Sequence, residues 1–424
     1  MLPANGDHLP GCKPLVLISL IKACSHQALR ENWTQVDGQL VKITSLEQAM
    51  ALHSQASLQN LDWNVYVASS LVDVYAKCGT MHDSQWVFDS IPQRNVVSWT
   101  SLIAGYARNG HGTTALERFQ EMHSRARAAP NAQTFVAALQ ACAAILEEGC
   151  GKDRVLETCM ALHFRAAKLG LDSDVFLANS LVDVYSRSGS LEDARRVFEG
   201  MPNRDVVSWN SMMAAFALHG HPQQALDLFV GMKFQGCAPS AQTFAVLLKA
   251  AAKLGALQTG KILHAEISRY CCLDPELQTN CLVDFYGKCG SMVNAQRVFD
   301  STSSSDCSIV TWNSLLVGYS RQGDTTRVFA LFEALDRVAL RPNGVTFSAL
   351  LAASSHAGLV DKGLEHFHSM LSSYGVSPDA QHCRCMVDVL GRANRLEEAV
   401  QMANMYLWSR GNVGEEAGDR CNEE

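Results

Sequence analysis

The stretch SSLVDVYAKCG at residues 69–79 decides how the chain is read. It returns as NSLVDVYSRSG at 179–189, as NCLVDFYGKCG at 280–290 and, more faintly, as RCMVDVLGRAN at 384–394. Leu71, Leu181 and Leu282 lie 110 and 101 residues apart, and Met386 follows 104 residues later. Two other segments recur between these copies. One reads VVSWTSLIAGYARNG (96–110), VVSWNSMMAAFALHG (206–220) and IVTWNSLLVGYSRQG (309–323). The other reads TFVAALQACAA (134–144), TFAVLLKAAAK (243–253) and TFSALLAASSH (346–356). The long period is therefore three related units of about 31 to 36 residues each, and a period of that size marks a solenoid of helical hairpins.

The pattern inside a unit predicts two helices. In 175–205, Leu181, Val182 and Tyr185 mark one stripe of a first helix, and Gly189 ends it, because glycine accepts the left-handed turn there. Leu191, Ala194, Val197, Phe198 and Met201 then follow the spacing of an amphipathic second helix, which Pro202 stops. The same scheme runs through Ala115, Leu116, Phe119 and Met122 and through Ala225, Leu226, Phe229 and Met232. One hairpin cannot bury both stripes, whereas stacked hairpins can. The expected fold is all-α: a right-handed superhelical solenoid of helix-turn-helix repeats.

Composition narrows the function. Apolar residues are 47% of the 424-residue chain and charged residues 18%, with a formal charge of −7. That is a folded chain whose total charge does not advertise nucleic acid. Fifteen cysteines are an odd count, and Cys78 matches Cys289 as Cys24 matches Cys142, so buried free thiols are expected rather than a disulfide framework. No apolar run approaches the length needed to cross a bilayer. The first twenty residues, with one lysine and no arginine, do not read as a transit peptide.

Catalytic chemistry finds no foothold. A zinc deaminase needs His-x-Glu followed by Pro-Cys-x-x-Cys. HAE occurs at His264–Glu266, but no two cysteines are spaced three apart, and Cys271–Cys272 and Cys383/Cys385 have the wrong spacing. His264 aligns with His53 and His163, each preceded by leucine, which predicts a repeated packing histidine. Nor is there a phosphate-cradling glycine loop. The chain reads as having no catalytic residues, no metal site, no cofactor, no small-molecule substrate and no membrane partner.

SLVDVYSRSGSLEDARRVFEGMPNRDVVSWNSM (180–212) closely resembles the pentatricopeptide repeat proteins, and within them the PLS subclass, in which P, L and S units of about 35, 35 and 31 residues alternate. The resemblance covers about residues 14–400, as eleven repeats. Their order is L (14–64), S (65–95), P (96–131), L (132–174), S (175–205), P (206–240), L (241–275), S (276–308), P (309–343), L (344–379) and an S-like unit from Ala380. Residues 1–13 are expected to be disordered, and 401–424 to form a degenerate last repeat and a disordered acidic tail without the subclass's extension motifs or deaminase domain. The first two L units carry extra residues, around Arg30–Ile43 and Gly149–Val155, expected to loop out between helices.

The resemblance implies a single-stranded RNA partner and a mitochondrial or chloroplast location. It also implies that the fifth and last residues of a unit together read one unpaired base. Carried onto this sequence the pairs are Ser69/Asn95, Thr100/Asn131, Asn179/Asp205, Asn210/Ser240, Asn280/Ser308 and Asn313/Asn343, which resemble readers of A, A, U, C, C and C-or-U from 5′ to 3′. In the L units the fifth residues Val136 and Ala245 have no hydrogen bond to offer a base, whereas Ser348 does. Taken alone, a polar residue at a helix start reads as an N-cap. Position 2 is apolar (Tyr66, Val97, Phe176, Val207, Leu277, Val310), which the resemblance makes a wedge between bases and packing alone would make core. Position 13 is basic in Lys77, Arg108, Arg187, Lys288, Arg321 and Arg392, with Leu218 the exception. These cations suit RNA phosphates or, equally, the C-terminal end of the first-helix dipole.

The subclass further implies that the bound site is a cytidine marked for C-to-U editing, with a deaminase or editing factor acting in trans. Other organellar RNA processing, stabilisation or translation is the alternative within the class. A tetratricopeptide-like protein-binding scaffold is the alternative outside it, and its constant 34-residue period fits the alternating unit lengths poorly.

Overall fold

A computed structural model describes residues 14–36, 39–124, 129–149, 151–270, 275–302, 307–338 and 340–404. The expected tails at 1–13 and beyond 404 lie outside the described residues. Among the described residues, twenty-one helices run from Pro14–Arg30 to Ala380–Arg392, and further helical turns cover 396–404. None of them is long and apolar enough to cross a membrane.

The chain divides into two compact units at His219/Gly220. In the first unit, each first helix packs on the next: Pro14–Arg30, Val65–Cys78, Val96–Arg108, Ala132–Glu147, Val175–Ser188 and Val206–Leu218. Each second helix, such as Met81–Asp89, lies against its own first helix and the first helix that follows. In the second unit, the first helices Ala241–Lys253, Pro275–Lys288, Ile309–Gln322, Gly344–Ala357 and Ala380–Arg392 stack by the same rule. This is the solenoid of helical hairpins that the period predicts.

The predicted stripes form the core. Leu181, Val182 and Tyr185 are buried, as are Ala194, Phe198 and Met201. Gly189 ends its helix in the left-handed region, at φ +96°. The second helix stops at Gly200, and Met201 ahead of Pro202 is extended, the conformation a following proline favours. Gly260 is required for a different reason: a Cβ there would lie 1.8 Å from the Phe285 ring, so its absence lets two helices close together.

Two expectations need correction. The extra residues after Arg30 do not loop out. Thr34–Val36 and Gln39–Val41 pair as antiparallel strands, anchored by the Lys42 backbone N–H donating to the Cys78 carbonyl at 3.1 Å. Lys42 is buried, donates its ammonium to the Ala28 carbonyl and lies 4.4 Å from the Trp33 ring centre. Glu31 accepts from the Thr44 and Ser45 N–H groups at 2.8 and 2.9 Å, capping the next helix, whose own N-cap residue is Lys42. Burial raises the Glu31 carboxyl's pKa, but these bonds and that from the Ser45 hydroxyl outweigh it and hold it below the usual range. In the second L unit the extra length goes into the helices themselves, Ala132–Glu147 and Lys152–Lys168, the second of which takes in Lys152–Val155. Ten cysteines are described and all are free thiols, with Cys24, Cys78, Cys142, Cys159, Cys307 and Cys383 buried. Burial pushes the Cys142 thiol up to about 12.

The repeated histidine is a packing residue at all three of its positions. His53, His163 and His264 each place Nδ1 2.9 to 3.0 Å from the hydroxyl of Tyr75, Tyr185 and Tyr286 in the following unit. At the last L unit the same two unit positions hold Phe367 and Leu390, which sit in one hydrophobic cluster. Histidine and tyrosine thus appear together or are replaced together. Glu266, the other half of HAE, pairs with Lys233 at 2.6 Å.

Candidate nucleic-acid interface

The last residue of a unit is the N-cap of the next first helix, except at 275, where the helix begins with Pro275 itself. Asn64, Asn95, Asn131, Asp174, Asp205, Ser240, Asn343 and Asp379 all accept there from backbone N–H groups. In Asn95, Asn131, Asp205, Ser240 and Asn343 the cap is a reciprocal box, closed by a hydroxyl at the third position of the following unit: Ser98, Thr134, Ser208, Thr243 and Thr346. Capping, which the sequence offers as the plain alternative to base reading, is therefore present. It leaves part of each side chain's capacity over for the fifth residue.

The fifth residue sits one turn into the first helix, and three of the six expected pairs meet directly. Asn179 Nδ2 donates to Asp205 Oδ1 at 3.3 Å, Asn280 Nδ2 to Ser308 Oγ at 3.3 Å and Asn313 Nδ2 to Asn343 Oδ1 at 2.9 Å. Thr100 reaches Asn131 through Thr134, whose hydroxyl lies 2.8 Å from that of Thr100 and 2.9 Å from Asn131 Oδ1. Ser69 instead donates back to the Val65 carbonyl at 2.6 Å, while Asn95 caps. Asn210 lies in the first compact unit and Ser240 in the second. In the L units, Val136 and Ala245 bring no polar group, and Ser348 Oγ lies 3.2 Å from His382 Nε2.

Three of the fifth residues are buried, whereas the last residues are half-buried or, at Asn131, exposed. Asn179 is 8% exposed, Asn313 6% and Ser69 3%. Burial raises the Asp205 carboxyl's pKa, but hydrogen bonds from the Ser208 backbone and hydroxyl and from Asn179 outweigh it, so the carboxyl is held below the usual range. It is an anion at neutral pH. Position 2 resolves the other way in five of six units: Tyr66, Val97, Phe176, Val207 and Val310 stand more than half exposed, so they are surface and not core, while Leu277 is half-buried. Around the first pair these features converge. A cavity of about 500 Å³ is lined by Tyr66 and Val97 with Ser69, and by Lys22, Ser25 and Asp73.

The position-13 cations divide by unit type. In the S units each is paired with the aspartate of LVD four residues earlier: Lys77 with Asp73 at 2.7 Å, Arg187 with Asp183 at 3.0 Å, Lys288 with Asp284 at 2.6 Å and Arg392 with Asp388 at 3.1 Å. The P units have Ala104 and Val317 in place of that aspartate, which leaves Arg108 and Arg321 without this carboxylate.

Two groups escape the sequence reading. The third-position hydroxyls are legible only as the repeated S or T of VVSW, VTW and QTF, which a packing argument alone does not single out. Arg94 and Arg204 precede Asn95 and Asp205 and tie that stretch of chain to the second helix before it. Arg204 donates to the Phe198 and Glu199 carbonyls at 2.9 and 2.8 Å and lies 4.8 Å from the Phe198 ring centre, and Arg94 repeats this on Phe88 and Asp89.

Residues 94–144, 204–253 and 307–356 match the PPR repeat family, and 176–206 and 345–374 match the PPR repeat. A chloroplastic pentatricopeptide repeat-containing protein of Arabidopsis thaliana is 32% identical over 385 residues, 90% of this chain and 46% of its own length. A mitochondrial one from the same plant is 35% identical over 341 residues, 80% of this chain and 51% of its own. The chain thus spans about half the length of these relatives. The crystal structure of the pentatricopeptide repeat protein PPR10, in complex with an 18-nt psaJ RNA element, superposes on 95% of this chain and 59% of its own at a TM-score of 0.67 and 16% identity, which shows the shared fold. Period, hairpin stacking and family match agree that the chain is built of pentatricopeptide repeats.

Proposed function

We propose that the chain binds single-stranded RNA in a mitochondrion or chloroplast and selects its sequence through the fifth and last residues of its S and P units. The observation that carries this is the repeated polar pair: at Asn179/Asp205, Asn280/Ser308 and Asn313/Asn343 the same two positions meet, beside exposed apolar side chains at position 2. Short polar groups held in place by neighbours match the Watson–Crick edge of an unstacked base, and exposed apolar groups one turn away give its face something to pack on. The neighbouring fold seen with RNA and the organellar relatives support the same reading. Alternation of L, S and P units favours a role in marking a cytidine for C-to-U editing, with the deaminase supplied by another protein.

The test is binding to RNA carrying A-A-gap-U-C-gap-C-Y against a scrambled sequence of equal composition. The ordered word should bind more tightly, and salt should weaken both. Equal affinities would end the assignment. Asp205→Ser should move the preference at its nucleotide from U toward C, and an equal loss for all RNAs would make the pair structural only.

A further inference from the structure

We infer that the hydroxyl at the third position of the following unit is a specificity-determining group: the direction of its one proton sets whether the fifth-position asparagine offers the base an acceptor or a donor. This rests on the base-reading role proposed above. Ser208 and Thr346 each accept from the backbone N–H of the preceding last residue, at 3.2 and 3.1 Å, so each has one proton left to give. Two acceptors compete for it, the last residue and the fifth.

At Asp205 the carboxylate wins, as charge-assisted bonds do. Ser208 Oγ donates to Asp205 Oδ1 at 2.9 Å, and the Asn179 amide donates to the same oxygen at 3.3 Å. Because a carboxylate only accepts, the Asn179 nitrogen must be the atom facing it. Asn179 Oδ1 is then buried without a partner. At the neutral Asn343 the outcome reverses. Thr346 Oγ1 stands 2.7 Å from Asn313 Oδ1 and 3.3 Å from Asn343 Oδ1, so the proton goes to the fifth residue. Thr311 likewise donates to Asn280 Oδ1, with Ser308 Oγ farther off at 3.4 Å.

The three asparagines are therefore in two states. Asn179 has an open carbonyl, and those of Asn280 and Asn313 already accept a hydroxyl proton. An open carbonyl suits a base whose ring nitrogen carries a proton, as uracil N3 does, since it supplies the donor that a buried acceptor lacks. With one lone pair of the carbonyl already taken, the second amide hydrogen is the readier group, and it suits a bare ring nitrogen such as cytosine N3.

The experiment is fluorescence anisotropy on RNAs that differ only as U or C at one assigned nucleotide. Thr346→Val removes the hydroxyl at nearly constant shape. It should raise the U-over-C affinity ratio at the Asn313/Asn343 nucleotide about fivefold, the worth of one hydrogen bond, while Thr346→Ser keeps the original ratio. Asp205→Asn keeps a good N-cap but withdraws the charge. It should lower the U-over-C ratio at its nucleotide by about the same factor, and adding Ser208→Ala should restore it. Weakened capping lowers affinity for both bases together and does not move the ratio. Unmoved ratios in Thr346→Val and Asp205→Asn, with Asn313→Ala and Asn179→Ala still altering base preference, would overturn the inference and leave base reading standing. No change of preference in the two alanine variants would remove both.

Discussion

His264 and Tyr286 are coupled, and a double-mutant cycle measures by how much. Tyr286 is 3% exposed and its hydroxyl lies 2.9 Å from His264 Nδ1. Replacing His264 by Phe alone strands that hydroxyl, at a cost of about 1–3 kcal/mol. Replacing Tyr286 by Leu alone strands the half-buried imidazole nitrogen and loses an edge-on ring contact at 5.7 Å between centroids, worth about 0.5–1.5 kcal/mol beyond its area. The double change removes both polar atoms and installs the combination already present as Phe367 and Leu390, each closely packed. It should therefore cost at least about 1 kcal/mol less than the two singles added together. Urea unfolding followed by circular dichroism, on the wild type and three variants, gives the four free energies. Additivity within about 0.5 kcal/mol would refute the claim that this pair acts as one packing unit.

The same histidines set a pH dependence. Burial pushes the imidazole pKa of His264 down, and burial is also the leading cause at His53 and His163, where nearby aspartates oppose it. A lowered folded-state pKa means that the unfolded chain binds more protons below about pH 6.5, so stability should fall as pH drops from 7 to 5, and the His264/Tyr286 double variant should show a shallower fall. Gly260→Ala should destabilise by about 1–3 kcal/mol or more through the Phe285 ring, measured by the same unfolding assay. Gly391→Ala, in a helix with open space around it, should instead gain up to about 1 kcal/mol. If the chain binds RNA as proposed, Arg108→Gln and Arg321→Gln should each reduce the salt slope of binding by about 0.7. Lys288→Gln, whose ammonium is held by Asp284, should change it less.

The fold was legible in the sequence because packing repeats: Leu181, Val182 and Tyr185 must be buried at every copy, so they return at every copy. Gly189 and Pro202 marked the turns for equally local reasons. The paired strands Thr34–Val36 and Gln39–Val41 left no comparable trace, since such a pair occurs once among the described residues and is anchored beside the buried Lys42, a residue type that ordinarily reads as surface. At the site, the polar type of Asn179 and Asp205 was visible, but their division of hydrogen bonds was not. That division depends on where the single proton of Ser208 or Thr346 goes, and nothing in residue spacing encodes it. Position 2 was undecidable by type alone, because valine and tyrosine serve equally in a core or on a surface, and exposure had to settle it.

The cap at each seam carries a consequence for how such a chain can be rearranged. Asp205 closes one repeat by count, yet its carboxylate holds the first turn of the helix beyond. A duplication, deletion or graft cut at that border parts it from the helix start it secures. A cut made inside a hairpin, between its two helices, keeps Asp205 with Ser208 and the helix start it secures, and leaves Asn179 on the piece before. Modular engineering of this array should therefore be phased half a repeat away from the conventional boundary.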